Sequence, residues 1–286
     1  MPDINSLIAA ARSDGRSLLD ESAGKRALAE FGIAVPRGLV VSERSQAASA
    51  CAELQGPFAV KGVSRDVVHK SDLGALRLGL PDATGVEFAI DEIEMALKDN
   101  GARIDGYLIE EMARPGQELV IGGIVDAQFG PMVMVGLGGV FVEIFKDTAF
   151  RLCPINRADA GAMLDELVAA PMLAGARGQQ PIDREAVIDA LCAVGGSDGL
   201  LWQYRDEIAE IDINPLIAAP QGAVAADARI VMSQTPAAQT GTPVLKKEAD
   251  IRTFFTPLFA PKSIAVVGAS ASTTNRANTY IGQLRD

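Results

Sequence analysis

Apolar residues recur at helical spacing in SLLDESAGKRALAEFG, GVEFAIDEIEMALKD, RADAGAMLDELVAA and DREAVIDALCAV, which predicts amphipathic helices, the first ending at Gly32. Ser42 stands where it can cap a further helix over ERSQAASACAEL. Between these lie short runs of strand character: GLVV, PFAVKGV, ALRLGL and GYLIEEM. ELVIGGIV and PMVMVGL flank DAQFG, which is rich in turn formers, and so read as an antiparallel pair. IAEIDINPLIAA and AVAADARI return to strand character. Helices and strands alternate without the strict repeat of a barrel, which predicts an α/β or α+β enzyme scaffold.

SQTPAAQTGTP, residues 233–243, is small, polar and proline-bearing, and opens an expected linker over 233–250 behind a main domain over 1–232. KSIAVVGAS then reads as a buried-type strand running into a glycine turn, and TYIGQLRD as a following helix. One strand and one helix cannot build a domain. Residues 251–286 are therefore expected to open a second domain that is cut short, or to form a tail on the main body.

The chain of 286 residues is long enough for two domains. Its 48% hydrophobic and 22% charged residues suit an ordinary soluble protein. A net charge of −11 argues against nucleic acid or an anionic membrane as the main partner, while leaving room for a local positive pocket. Cys51, Cys153 and Cys192 form no CxxC pair, so no metal cluster is expected and a reducing compartment fits. The N-terminus lacks the basic start and apolar core of a signal peptide, and GPMVMVGLGGVFVEIF is too short and glycine-rich to span a bilayer. A cytoplasmic location is expected.

EIDIN places Glu210, Asp212 and Asn214 on one face of a strand and Ile211 and Ile213 on the other. Carboxylates beside an amide oxygen are the hard donors Mg²⁺ takes, and Asp227, on the next predicted strand, joins them if the strands pair; a solvated sheet face is the alternative. LIEEMARPGQEL sets Glu110, Glu111 and Glu118 around a strand end and a loop, where they can hold a ribose and base or simply be surface charge. Lys61 interrupts the apolar PFAVKGV and needs a partner, a phosphate or a salt bridge, because an unpaired buried charge is costly. GLGG, residues 136–139, can offer backbone N–H groups to an anion or serve as a turn. VVGAS, residues 266–270, ends a strand in a glycine turn where a phosphate can meet a helix N-terminus, though the full dinucleotide fingerprint is absent. His69, the single histidine, lies in VVHKSDLGAL; an imidazole there can be base, ligand or nucleophile, or only structural.

These segments, in this order, resemble the ATP-grasp part of the NDP-forming (ADP-forming) acyl-CoA synthetases, relatives of succinyl-CoA synthetase. The matching stretches are SAGKRALAEFGIAVP, PFAVKGVSRDVVHKSDLGAL, LIEEMARPGQELVIGGIVDAQFGPMVMVGLGGVFVEIFKDTAFRLCPI, and EIDINPLIA with AADAR, within about residues 17–230. PKSIAVVGAS resembles the opening of the family's CoA-binding domain. The resemblance implies an ATP-grasp fold, two subdomains enclosing a nucleotide site, plus the first strand and helix of a Rossmann-like CoA-binding domain. It implies ATP or ADP with Mg²⁺, CoA as co-substrate, and conversion of acid, CoA and ATP to acyl-CoA, ADP and phosphate through a phosphohistidine. On this resemblance His69 corresponds to the histidine that relays the phosphoryl group, and Lys61 to the lysine on the nucleotide phosphates. Glu110 and Met112 correspond to the hinge against the adenine, and Glu118 to an acidic position near the ribose. Asn214 and Asp227 correspond to the Mg²⁺ ligands, and Gly268 and Ser270 to the turn that meets CoA phosphate. Lys70 is expected to help hold the phosphorylated loop, with an ordinary surface lysine as the alternative.

The family's double glycine after HKSD-x is here Gly74-Ala75, and the chain holds no second histidine. The module with the swinging-loop histidine and the acid site is expected in a missing C-terminal part or a separate chain, in an oligomer. The chain alone is then expected to bind ATP, but not to complete a thioester. A nucleotide-sensing module of a protein acetyltransferase-type assembly and another ATP-grasp carboxylate ligase are the alternative readings; the HKSD histidine speaks against the second.

Overall fold

In the computed structural model the described residues are 3–64, 73–138, 147–175, 180–233 and 248–263. They fall into two units, residues 1–237 and 238–286. The first unit is built on two antiparallel sheets. The larger has strand order β1-β11-β9-β6-β7-β8, with β10 also on β9. Its strands are β1 (Leu18–Leu19), β6 (Gln117–Asp126), β7 (Gly130–Leu137), β8 (Thr148–Leu152), β9 (Ile208–Ala218), β10 (Ala223–Ala225) and β11 (Arg229–Met232). The smaller has order β2-β5-β3-β4, from β2 (Gly38–Val41), β3 (Phe58–Val63), β4 (Leu76–Leu80) and β5 (Gly106–Glu111). This is the expected mixed architecture of two subdomains.

Each sheet buries one face under helices. On the large sheet, Ile121, Val133, Val135, Ile211 and Ile213 meet α1 (Ile4–Ser13), α2 (Glu21–Glu30), α5 (Arg157–Glu166), α6 (Ala170–Leu173), α7 (Arg184–Gly195) and α8 (Leu200–Gln203) in one core. On the small sheet, α3 (Ala47–Glu53) and α4 (Ala83–Asp99) cover Val60, Tyr107 and Ile109. In α4, Val86, Ala89, Ile90, Ile93 and Leu97 form a buried stripe at three- and four-residue spacing, and Asp82 caps the helix by accepting from Gly85 N–H at 2.9 Å. Each large aliphatic side chain buried there stabilises by about 1.5–3 kcal/mol. Gly62 lets the helix lie this close, since a Cβ there would stand 2.8 Å from Leu97 Cδ1 and 3.0 Å from Ile93 Cγ2.

Among the described residues the expected strands and hairpin are present, with Asp126 opposite Gly130 across the DAQFG turn, whereas the strand expected in KSIAVVGAS and the helix expected in TYIGQLRD fall largely outside them. Several boundaries differ for local reasons. The first expected helix begins only at Glu21, because Asp20 is extended and caps it through Ala23 N–H; Leu18 and Leu19 pair instead with Val231 and Ile230. Ser42 is not a helix cap. Its N–H and O–H both donate to Gln46 Oε1, and a 3₁₀ turn over Arg44–Gln46, started by Glu43, precedes α3. The helix over RADAGAMLDELVAA stops at Glu166, because the Asp147 carboxylate takes the Val168 and Ala169 N–H groups at 2.8 and 2.9 Å, which a continuing helix would use internally. AVAADARI is two strands, not one.

That last break matches an irregularity in β9. Ile213 pairs with Ile121 and Leu216 with Leu119, so Asn214 and Pro215 together face the single residue Val120. The core-facing positions of β9 change there from Ile211 and Ile213 to Leu216 and Ala218. At the same level, the core-facing positions of the neighbouring segment change from Ala223 and Ala225 to Ala228 and Ile230. The pairing of Ala225 with Leu216 and of Arg229 with Asp212 keeps one register across the gap, which brings Asp227 opposite Asn214.

Of the second unit, the described part contains α9 (Glu248–Phe259), which begins inside the expected linker. Residues 264–286, with Gly268 and Ser270, lie outside the described residues, as do His69 and Lys70. Among the described residues no helix is long and apolar enough to cross a membrane.

Ile93→Ala should lower unfolding free energy by about 2–5 kcal/mol through the cavity it leaves, whereas Met95→Ala, on the exposed face of the same helix, should change it by less than about 0.5 kcal/mol. Denaturant titration of both variants checks this.

Candidate functional site

Among the described residues, five stand out as polar or charged yet buried: Glu21, Lys25, Lys61, Glu110 and Asp147. The first four form one cluster. Ala59 lies opposite Glu110 and Lys61 opposite Leu108 in the β3–β5 ladder, so Lys61 and Glu110 share a face on the diagonal. Glu21 and Lys25 sit one turn apart on α2, in the same stripe as Leu28, and bring a complementary pair to that face. Lys25 Nζ donates to Glu21 Oε1 at 2.8 Å and to both Glu110 oxygens at 2.6 and 2.7 Å. Lys61 Nζ donates to Glu21 Oε1 and to the Ala226 carbonyl at 2.7 Å, and lies 3.1 Å from Glu110 Oε2.

α2 belongs to the core of the large sheet, whereas β3 and β5 form the small one. The cluster therefore ties the two sheets together across their junction. Burial acts to lower the Lys61 pKa, but Glu21, Glu110 and Asp227 more than offset it and raise it above the usual lysine value. Lys25 is shifted down, first by burial and further by Lys61, against the pull of Glu21 and Glu110. Of the two partners expected for Lys61, the structure shows the salt bridge: it meets carboxylates and a backbone carbonyl.

The segment that receives Lys61 also carries Asp227. It lies in the break between β10 and β11, not within a strand as expected, and its Oδ1 accepts from Ala228 N–H at 2.7 Å. Asp227 is close enough to Lys61 to act on its charge. Gly24 of α2 packs on the same segment, where a Cβ would stand 3.2 Å from the Ala228 carbonyl oxygen. Asn214, opposite Asp227, is exposed on the sheet face that the helices leave bare, together with part-buried Asp212. Glu210 is engaged by Arg229 at 3.3 Å. Among the described residues no three His, Cys, Asp or Glu side chains gather as a metal-ligating group. One carboxylate with one amide oxygen nevertheless suits Mg²⁺, which keeps several waters and takes phosphate oxygens as ligands.

The remaining expected residues lie around this centre. Met112 follows Glu111 at the end of β5; its N–H donates to the Pro57 carbonyl at 2.9 Å, and its sulfur accepts from Gly79 N–H at 3.3 Å. Glu111 is turned away and accepts from Gln55 N–H at 2.9 Å. Glu118 is exposed on β6, and its carbonyl accepts from Gly138 N–H at 2.7 Å, which commits one of the GLGG amides. Glu110 is not surface charge: its carboxylate is held by both lysines. Sequence reasoning missed Glu21 and Lys25. Their signal was a complementary pair at i and i+4 lying in the apolar stripe of SAGKRALAEFG.

The sequence matches the ATP-grasp domain family over residues 10–232. It is 38% identical over 228 residues to the beta subunit of ADP-forming acetate–CoA ligase I of Pyrococcus furiosus, covering 79% of this chain and 96% of that subunit. This chain belongs to the ATP-grasp family of ADP-forming acyl-CoA synthetases. Its structure is similar to that of acetyl-coenzyme A synthetase 1 of Ca. Korarchaeum cryptofilum in complex with coenzyme A and Ca-AMPCP, with a TM-score of 0.77 at 41% identity, over 80% of this chain and 99% of that chain. The same synthetase with coenzyme A and Mg-AMPPCP, its phosphohistidine segment pointing towards the nucleotide binding site, matches with a TM-score of 0.70 at 38% identity, over 81% of this chain and all (100%) of that one.

Lys25→Met leaves two buried carboxylates to share one lysine and should cost about 3–5 kcal/mol of stability. Lys98→Met, which removes only the exposed pair with Glu94, should cost about 0.5 kcal/mol or less. Chemical denaturation distinguishes the two.

Proposed function

We propose that this ATP-grasp synthetase chain is the nucleotide-binding and phosphoryl-transfer component of an ADP-forming acyl-CoA synthetase, working in the cytoplasm with a CoA-ligase module on another polypeptide or a further part of its own. The observation that carries the reading is the match along nearly the whole of a beta subunit whose name states ADP-forming acetate–CoA ligation. The convergence of Lys61, Asp227 and Asn214 at the junction of the two sheets supports it.

Phosphoryl transfer depends on positioning and on offsetting charge. Lys61 is the cation for the nucleotide phosphates, placed at the sheet junction by β3. Asp227 and Asn214 are the residues that would hold Mg²⁺, which supplies charge neutralisation and orientation to the phosphates when bound. Met112, just after β5, is assigned to the hinge against the adenine and Glu118 on β6 to the ribose; the Glu110 carboxylate, expected at that hinge, is instead taken by Lys25 and Lys61. His69 is the relay: its neutral imidazole attacks the γ-phosphorus in line, a P–N bond forms as the bond to the β–γ bridging oxygen breaks, and ADP leaves. The partner module then accepts the phosphoryl group or, in the reverse direction, supplies it. Gly268 and Ser270 are assigned to the turn that meets CoA phosphate.

Incubation with Mg²⁺ and ATP, with or without the CoA-ligase module, should produce an acid-labile phosphate that maps to His69. His69→Asn should abolish it and leave ATP affinity within about twofold. Phosphate that survives in the variant, or loss of ATP binding, would remove His69 from the relay. Asp227→Ala should weaken nucleotide binding about tenfold or more in the presence of Mg²⁺ and little in EDTA; titration calorimetry in both buffers tests this.

A further inference from the structure

The lysine assigned to the nucleotide phosphates is already fully engaged by the protein. An ammonium has three N–H donors, and Lys61 Nζ has three acceptors around it: Glu21 Oε1, the Ala226 carbonyl at 2.7 Å and Glu110 Oε2 at 3.1 Å. A phosphate can therefore gain Lys61 only by displacing one of them. The Ala226 carbonyl is fixed in the backbone between β10 and β11. Glu110 is the longest of the three contacts, and giving it up frees little.

Glu21 differs, because it has a second cation. Lys25 Nζ donates to the same Oε1 atom at 2.8 Å while it also holds both oxygens of Glu110. When Lys61 turns from Glu21 to a phosphate, Glu21 is not left as an uncompensated buried charge, which is the expensive outcome. Among the described residues, the two lysines of the cluster match the two carboxylates Glu21 and Glu110. With Lys61 given over to phosphate, Lys25 stays between the two carboxylates.

We infer that Glu21 is a built-in competitor for nucleotide phosphate, which holds the Lys61 ammonium until phosphate takes it, with Lys25 remaining as counterion to Glu21 and Glu110. The inference rests on the assignment of Lys61 to the nucleotide phosphates. Glu21 weakens nucleotide binding by the strength of the contact it surrenders. It also keeps the lysine ordered and charge-compensated between turnovers, so that ADP and ATP can both leave. A site run in either direction needs that balance more than it needs tight binding.

The test is Mg-ADP affinity of the full chain by titration calorimetry for the wild type, Glu21→Gln and Lys61→Met, with thermal unfolding as the check on folding. Gln keeps the shape and an acceptor oxygen for Lys25 but removes one negative charge beside the phosphate. Glu21→Gln should bind Mg-ADP about three- to tenfold more tightly, with adenosine affinity unchanged, while Lys61→Met binds Mg-ADP at least about tenfold more weakly. A Glu21→Gln protein that binds Mg-ADP no better than wild type, while Lys61→Met is weakened, overturns the competitor role and leaves the assignment of Lys61 standing. Unchanged affinity in Lys61→Met removes that assignment and this inference with it. If Glu21→Gln does not fold, the crystal structure of the wild type with Mg-ADP decides. Lys61 Nζ more than about 4 Å from Glu21 and on a phosphate oxygen supports the role; an intact Lys61–Glu21 contact overturns it.

Discussion

Four buried charges set the relation between the two halves of the ATP-grasp body. Each would cost several kcal/mol if buried alone, and mutual attraction offsets that cost only when geometry and hydrogen bonding are good. Glu21 and Lys25 come from a helix in the large-sheet core, Lys61 and Glu110 from adjacent strands of the small sheet. Each half carries one lysine and one carboxylate, but Lys25 makes its shortest contacts to Glu110 and Lys61 donates to Glu21, so the pairing is completed only across the two halves. Apolar packing alone tolerates sliding; a cluster in which one ammonium holds both oxygens of a carboxylate from the other sheet does not.

The same cluster fixes the place of the chemistry. Lys61 reaches across to the Ala226 carbonyl, one residue from Asp227, and Gly24 lets α2 rest on Ala228. The segment bearing the proposed metal ligand is thus held from two sides by the elements that build the cluster. Asp227 is kept out of the ladder and Asn214 stands opposite it at an irregularity of its own strand, so two oxygen donors approach each other at a point where neither is part of a regular sheet.

Much of the framework was legible because its periodicities are strong. The α4 stripe, the ELVIGGIV–PMVMVGL hairpin and the alternation in EIDIN all fold as their spacing predicts. What escaped was set by contacts distant in sequence. Glu21 and Lys25 look like an ordinary exposed helix pair until the partner sheet supplies Glu110. AVAADARI reads as one strand because strand character says nothing about a break whose cause is the neighbouring strand. The end of the helix at Glu166 depends on Asp147, far back along the chain. The roles proposed for His69, Met112, Gly268 and Ser270 came from family resemblance, since single side chains on loops and strand ends carry no periodic signal, whereas Asn214 and Asp227 were also offered by the donor pattern around EIDIN.

The paired irregularities in β9 and in the β10–β11 segment have a consequence for how this family can change. Each shifts its strand's core-facing positions by one, and because they lie side by side the ladder stays in frame on both sides. Deleting the extra residue from one strand alone would make its own alternation regular but put it one residue out of register with its neighbour, so that Ala225 with Leu216 and Arg229 with Asp212 could not both stay paired. Loss of one residue from both strands together would restore the frame and dissolve the site. The two segments therefore behave as a single heritable unit: length changes that leave the fold intact must occur in both or in neither, and those that occur in both remove the reason for keeping Asn214 and Asp227.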